Sequence, residues 1–156
     1  MNGSLRLHNR QRARTVDRRF LRRIVHTLLV DELQLEGFAV VISLLNDATM
    51  SELNETWLNH EGSTDVLTFD YRGANIGEPL AGEIFVCVEE AVRQAQAYHT
   101  TWQAEVVRYI VHGILHLQGY DDMTAPKRRI MKRQENRLLK RMALNYRLNR
   151  IAGRSQ

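Results

Sequence analysis

The residues best suited to chemistry lie between His112 and Asp122, in the stretch HGILHLQGYDD. His112 and His116 are four apart, about 1.1 helical turns, so both imidazoles leave one helix face and can reach one cation. HExxH-type zinc helices use that spacing. Gly119 suits a left-handed helix stop, which turns the chain back and brings Asp122 toward the rings. A carboxylate oxygen then completes a three-ligand set and leaves a fourth position for water. The same donors suit iron or manganese, so zinc is favoured by ligand type and not uniquely demanded. A packed, hydrogen-bonded histidine pair is the plainer alternative, and the glycine turn and the carboxylate weigh against it. Position 113 narrows the chemistry further. A zinc peptidase carries its general-base glutamate there, whereas this chain has Gly113, which instead permits another backbone to come close. Peptidase chemistry is disfavoured.

A helix over 102–118 must carry the pair, and Val106, Val107, Ile110, Val111, Ile114, Leu115 and Leu117 around it predict a buried one. Upstream, Ser4–His8 reads as a short strand. Asp17 caps a helix to about Leu33 with Phe20, Leu21, Ile24, Val25, Leu28 and Leu29 on one stripe, and Gly37 is its expected stop. FAVVISLL, 38–45, is almost continuously apolar, as a strand covered on both faces would be. Thr49 or Ser51 opens a helix to about Asn59, with Leu53 and Trp57 turned toward the core. Strands follow at 65–71 and 81–88, separated by a loop with Gly73, Gly77 and Pro79. Helices are predicted at about 89–98 and 126–149. The last would pack through Ile130, Leu138 and Met142 while Arg128, Arg129, Lys132 and Arg133 face elsewhere. The order predicts an α+β fold, with a small mixed sheet of about four strands carrying helices and the histidine helix beside it.

With 156 residues and 18.2 kDa, the chain suits one domain over 1–156, its first few residues and 150–156 expected to be mobile. Its longest apolar run, 38–45, is too short to span a bilayer, and the arginine-rich start lacks the apolar segment of a signal peptide. Cys87 is the lone cysteine, which excludes an internal disulfide and fits a reducing cytoplasm. Its IFVCV setting makes it a core residue. The net charge of +4 hides a strong segregation. Residues 1–23 hold eight Arg and one acid, and 124–156 hold eleven Lys or Arg and a single acid, Glu135. Basic ends beside an acidic middle suit a polyanionic partner.

HGILHLQGYDD resembles the HGxLHLxGYDH signature of the YbeY family of metal-dependent endoribonucleases linked to rRNA maturation and ribosome quality control. LNETW (53–57) is similar to the family's LNxxY, TDVLTF (64–69) to its TDVLSF, and GEI (82–84) to its GDI, over roughly 5–140. The resemblance implies one zinc per chain on His112, His116 and, where the family has histidine, Asp122. It also implies a cytoplasmic setting and RNA, in rRNA or ribosomal particles, as partner. The chain departs from the family at Leu58, where an arginine is usual, and at Ser63, where a proline is usual. Leucine cannot hydrogen-bond a phosphate, so His60, Arg72 or Arg108 would have to supply that cation.

The leading expectation is metal-assisted hydrolysis of single-stranded RNA, with Asp121, Glu83 or Asp65 as base. Each has an ordinary alternative: a turn cap for Asp121, a solvent-facing charge for Glu83 and a loop anchor for Asp65. Arg18, Arg22, Arg128, Arg129, Lys132 and His60 are the candidate RNA contacts. The rivals are a metal-containing ribosome-assembly factor that binds RNA without cleaving it, and a metal-dependent hydrolase of another substrate.

Overall fold

A computed structural model describes residues 3–58, 64–72 and 78–153, Leu58 by its backbone alone. Four strands form the sheet: β1 (Ser4–Arg10), β2 (Phe38–Leu45), β3 (Val66–Asp70) and β4 (Leu80–Cys87), in the spatial order β1-β2-β4-β3. β1, β2 and β4 run parallel, and β3 pairs antiparallel with β4. The helices are α1 (Arg18–Thr27), α2 (Asp47–Leu58), α3 (Val88–Tyr98), α4 (Trp102–Leu117) and α5 (Ala125–Asn145). This is the expected α+β fold with a mixed sheet.

Register decides which side chains meet the helices. Leu5, Val40 and Gly82 lie abreast, as do Leu7, Ile42 and Ile84. The leucines, Val40, Ile42 and Ile84 join α1 and α4 in the main core. The alternate residues Leu45, Leu67 and Cys87 meet Met50 of α2 in a smaller cluster on the other face. β2 is therefore covered on both faces only toward its C-terminal end; Ala39 is exposed and Val41 half-buried, contrary to the expectation of full cover. Cys87 is buried, as expected.

Local chemistry moved several boundaries. Asp17 Oδ1 accepts from the Phe20 N–H at 3.1 Å and caps α1 as predicted. The chain then continues through a π-turn, Leu28–Glu32, and Gln34 takes the positive φ of 51° that Gly37 was expected to supply. Leu33 and Leu35 pack partly onto the core on either side of it, drawing the chain back before the glycine. α2 begins at Asp47, because Asn46 Oδ1 accepts from Thr49 N–H at 2.8 Å. Leu53 packs as expected, but Trp57 is 66% exposed, lying past the small cluster that Met50 and Leu53 join. On α5 the buried stripe is Met131, Glu135, Leu138 and Met142, while Ile130 is half exposed. At the C-terminus a 3-10 turn, Leu148–Ala152, buries Ile151 completely, and its carbonyl accepts from Asp17 N–H at 2.7 Å.

Candidate metal centre

α4 is buried along most of its length and crosses the sheet at close range. A Cβ at Gly113 would come within 2.8 Å of Ile84, and one at Gly82 within 2.5 Å of Leu117. The two glycines let helix and strand approach where any side chain would push them apart. Thr101 Oγ1 caps the start of α4 by accepting from Ala104 N–H at 3.2 Å. At its end Tyr120 N–H bonds to Leu115 carbonyl and Gly119 N–H to His116 carbonyl, both at 3.0 Å, with Gly119 at φ 100°. This is a Schellman stop, and it returns the chain toward the histidines.

His112, His116 and Asp122 consequently meet, their ligand atoms all within 4.8 Å of one another. The two Nε2 atoms are 3.1 Å apart, and Asp122 Oδ2 stands 3.9 Å from His112 Nε2 and 3.8 Å from His116 Nε2. Ligands held at about 2.0–2.1 Å around a tetrahedral zinc stand roughly 3.4 Å from one another. The observed separations bracket that value, so small side-chain rotations suffice and the donor set fits one ion. Burial first, and then neighbouring His112, push the His116 pKa below its ordinary value, against the pull of Asp122. A lowered pKa favours the neutral ring, the form that can coordinate.

Glu135 completes the arrangement from α5, and it was not among the predicted site residues. Its Oε2 accepts from His112 Nδ1 at 2.9 Å, and its Oε1 pairs with Arg108 Nη1 at 3.0 Å. Burial alone raises its pKa, but the bonds from His112 and Arg108 and the Lys132 charge outweigh burial and hold it at about 2. An ionised carboxylate only accepts, so the His112 proton sits on Nδ1 and the Nε2 lone pair faces Asp122 and His116. The sequence signal existed. Glu135 is the only acid in 124–156 and falls four residues after Met131 and three before Leu138, on the buried stripe.

Two grooves meet at this centre. One, of about 800 Å³, runs between α3, α4 and α5, with Tyr98, Arg108, Arg129 and Lys132 among its lining residues. The other, of about 440 Å³, lies along β3 beside His116 and Leu117. Asp65, Val66, His112 and Asp122 line both.

The remaining candidates are dispersed. Asp65 stands at the junction, its Oδ1 accepting from Val66 N–H at 2.7 Å. Asp121 caps the turn after α4, accepting from Met123 N–H at 3.0 Å and facing Lys127 at 3.3 Å. Glu83 alternates with Gly82 on β4 and so lies on the face away from α4, where it accepts from the Tyr71 hydroxyl at 2.5 Å. Arg128, Arg129 and Lys132 line the larger groove; Arg18 and Arg22 line neither. Arg72 ties Asp70 to the Leu117 carbonyl and so joins the end of β3 to α4. Arg108 lines the larger groove, paired with Glu135. His60 lies outside the described residues, as do the rest of 59–63 and 73–77.

The family described as Endoribonuclease YbeY matches residues 6–143. The chain belongs to the YbeY family. Relatives named Endoribonuclease YbeY include one from Parabacteroides distasonis, 37% identical over 60% of this chain and 64% of its own length. Another, from Azobacteroides pseudotrichonymphae, is 30% identical over 82% of this chain and 89% of its own. The match to the first therefore spans just under two thirds of that relative, whereas the second is covered almost throughout. The solution structure of a Thermotoga maritima protein superposes with a TM-score of 0.68 over 97% of both chains at 22% identity, which establishes the shared fold. A YbeY fold with a possible His/His/Asp metal site is thus the framework for function.

Proposed function

We propose that this YbeY protein is a zinc-dependent endoribonuclease that cleaves single-stranded RNA in rRNA maturation, in the cytoplasm. The observation that carries the reading is the convergence of His112, His116 and Asp122 where two grooves meet, together with relatives named endoribonuclease. His112 Nε2, His116 Nε2 and an Asp122 oxygen would hold the ion. When bound, the ion supplies a Lewis acid and a coordinated water of lowered pKa. Asp65, fixed by the Val66 N–H, is the best-placed group to take the proton as water attacks phosphorus, while the P–O bond to one ribose oxygen breaks and that oxygen leaves and is protonated. Arg108, at the groove, is the candidate to meet phosphate charge in place of the family arginine, although it is paired with Glu135. Ribosomal particles are the proposed partners. No helix among the described residues is long and apolar enough to cross a membrane.

The test is cleavage of labelled single-stranded RNA by wild type and His116→Ala. His116-dependent cleavage supports the reading, and equal cleavage by both proteins sinks it. Leu58, in place of the family arginine, favours one second reading: an RNA-binding assembly factor with little or no turnover. Leu58→Arg discriminates, because a missing phosphate contact predicts a rise in rate. Unchanged activity would mean that another group already fills the role.

A further inference from the structure

The larger groove has features the cleavage chemistry leaves unused. It opens directly from His112 and Asp122 and runs between α3 and α5. Its volume of about 800 Å³ falls in the roughly 300–1,000 Å³ range of sites that enclose small ligands. Its carboxylates are engaged: Glu135 with His112, Arg108 and Lys132, and Glu105 with Thr100 and Arg108. Asp65 and Asp122 stand at the metal end. Along the α5 wall, Arg128 donates to the Asp122 carbonyl at 3.2 Å and Lys132 reaches Glu135 only at 3.4 Å. The Arg129 side chain makes no hydrogen bond or ion pair among the described residues. On the α3 wall stands Tyr98, 71% exposed.

Aromatic wall, basic wall and metal end are the parts of a single-strand site: bases stack on any exposed ring, and cations track the phosphates. We infer that this groove seats the nucleotides on one side of the scissile phosphate, with a base stacked on Tyr98 and the neighbouring phosphates held by Arg129 and Lys132. The inference rests on the endoribonuclease reading for the identity of its ligand. It assigns to the α3–α5 cleft a subsite that ranks RNA segments by single-strandedness, since a paired base has no free face for Tyr98. Arg133, one turn beyond Arg129 on the same helix, does not line the groove and is the internal control.

The experiment measures fluorescence anisotropy of a labelled single-stranded 2′-O-methyl RNA of about twelve nucleotides, which resists cleavage, on metal-loaded full-length protein. Arg129→Glu, Lys132→Glu and Tyr98→Ala are each expected to weaken binding about tenfold, whereas Arg133→Glu changes it less than about twofold. Duplex RNA of the same sequence should lose the Tyr98 effect. Arg133→Glu matching Arg129→Glu would mean diffuse attraction to a basic helix and overturns the groove. Tyr98→Ala binding like wild type overturns it as well. All four positions are at the surface, and thermal melting verifies that the variants fold. Binding through Arg129 and Tyr98 without His116-dependent cleavage would sink the nuclease reading and keep the groove. His116-dependent cleavage with all three groove variants binding normally would do the reverse.

Discussion

Asp122 reaches the two imidazoles across a turn, with its Oδ2 3.8 and 3.9 Å from their Nε2 atoms. A carboxylate in that position brings negative charge to the ion, which a histidine would not. Asp122→Ala should weaken zinc binding by more than the roughly 10–100-fold that loss of an outer partner costs, and Asp122→His should keep it. Competition against a chromophoric chelator measures both, and wild-type affinity in Asp122→Ala would remove Asp122 from the ligand set. Glu135→Gln tests the carboxylate behind His112. The amide can present its NH₂ to Nδ1 and release the tautomer, so metal affinity is expected to fall about tenfold. Unchanged affinity would mean that packing alone orients the His112 ring.

α2 is held to the rest of the fold by charge as much as by apolar contact. Arg93 of α3 spans Asp47 at 2.7 and 2.8 Å and Glu90 at 2.6 Å, and the Asp47 N–H bonds to Glu89 at 2.9 Å. Burial raises the Glu90 pKa, but bonds from Gln94 and Arg93 outweigh it, so the net value lies below 4.5. A carboxyl with a lowered folded pKa binds fewer protons when folded. Its stabilisation is present above about 4.5 and is lost as pH falls below that. Arg93→Ala should therefore melt below wild type at neutral pH, and the gap should close in acid. A gap constant down to pH 3 would show that Arg93 acts through packing. Trp57, exposed on α2, is a convenient fluorescence reporter for that helix.

The whole molecule separates its charge, with both basic ends flanking an acidic middle. Only part of that charge belongs to the grooves. Arg128, Arg129 and Lys132 of α5 line the larger one, whereas Arg133 of the same helix and Arg18 and Arg22 of α1 do not. Neutralising phosphates releases counterions, at roughly 0.7 in the salt slope for each single-strand contact. Arg129 and Lys132, the two cations assigned to phosphates, predict a contribution of about −1.4 to the slope, and Arg18→Ala should leave the slope unchanged. An equal loss of slope on removing Arg18 would extend the RNA path across α1.

The residue types and spacing in 112–122 determined by themselves that His112 and His116 share a face and that Gly119 turns the chain, because helical periodicity and backbone sterics act locally. The sheet followed from strand patterning for the same reason. What lay beyond reach depended on distant contacts. Glu135 is 23 residues from His112, and only the packing of α5 on α4 shows that its place on the stripe points at a histidine. Register put Glu83 on the far face, and the packing that forms both grooves left Asp65, just before β3, at their junction, a choice that the three acids, read one at a time, could not express. The junction itself exists only in the tertiary structure, since it needs β3, α3, α4 and α5 folded around one another.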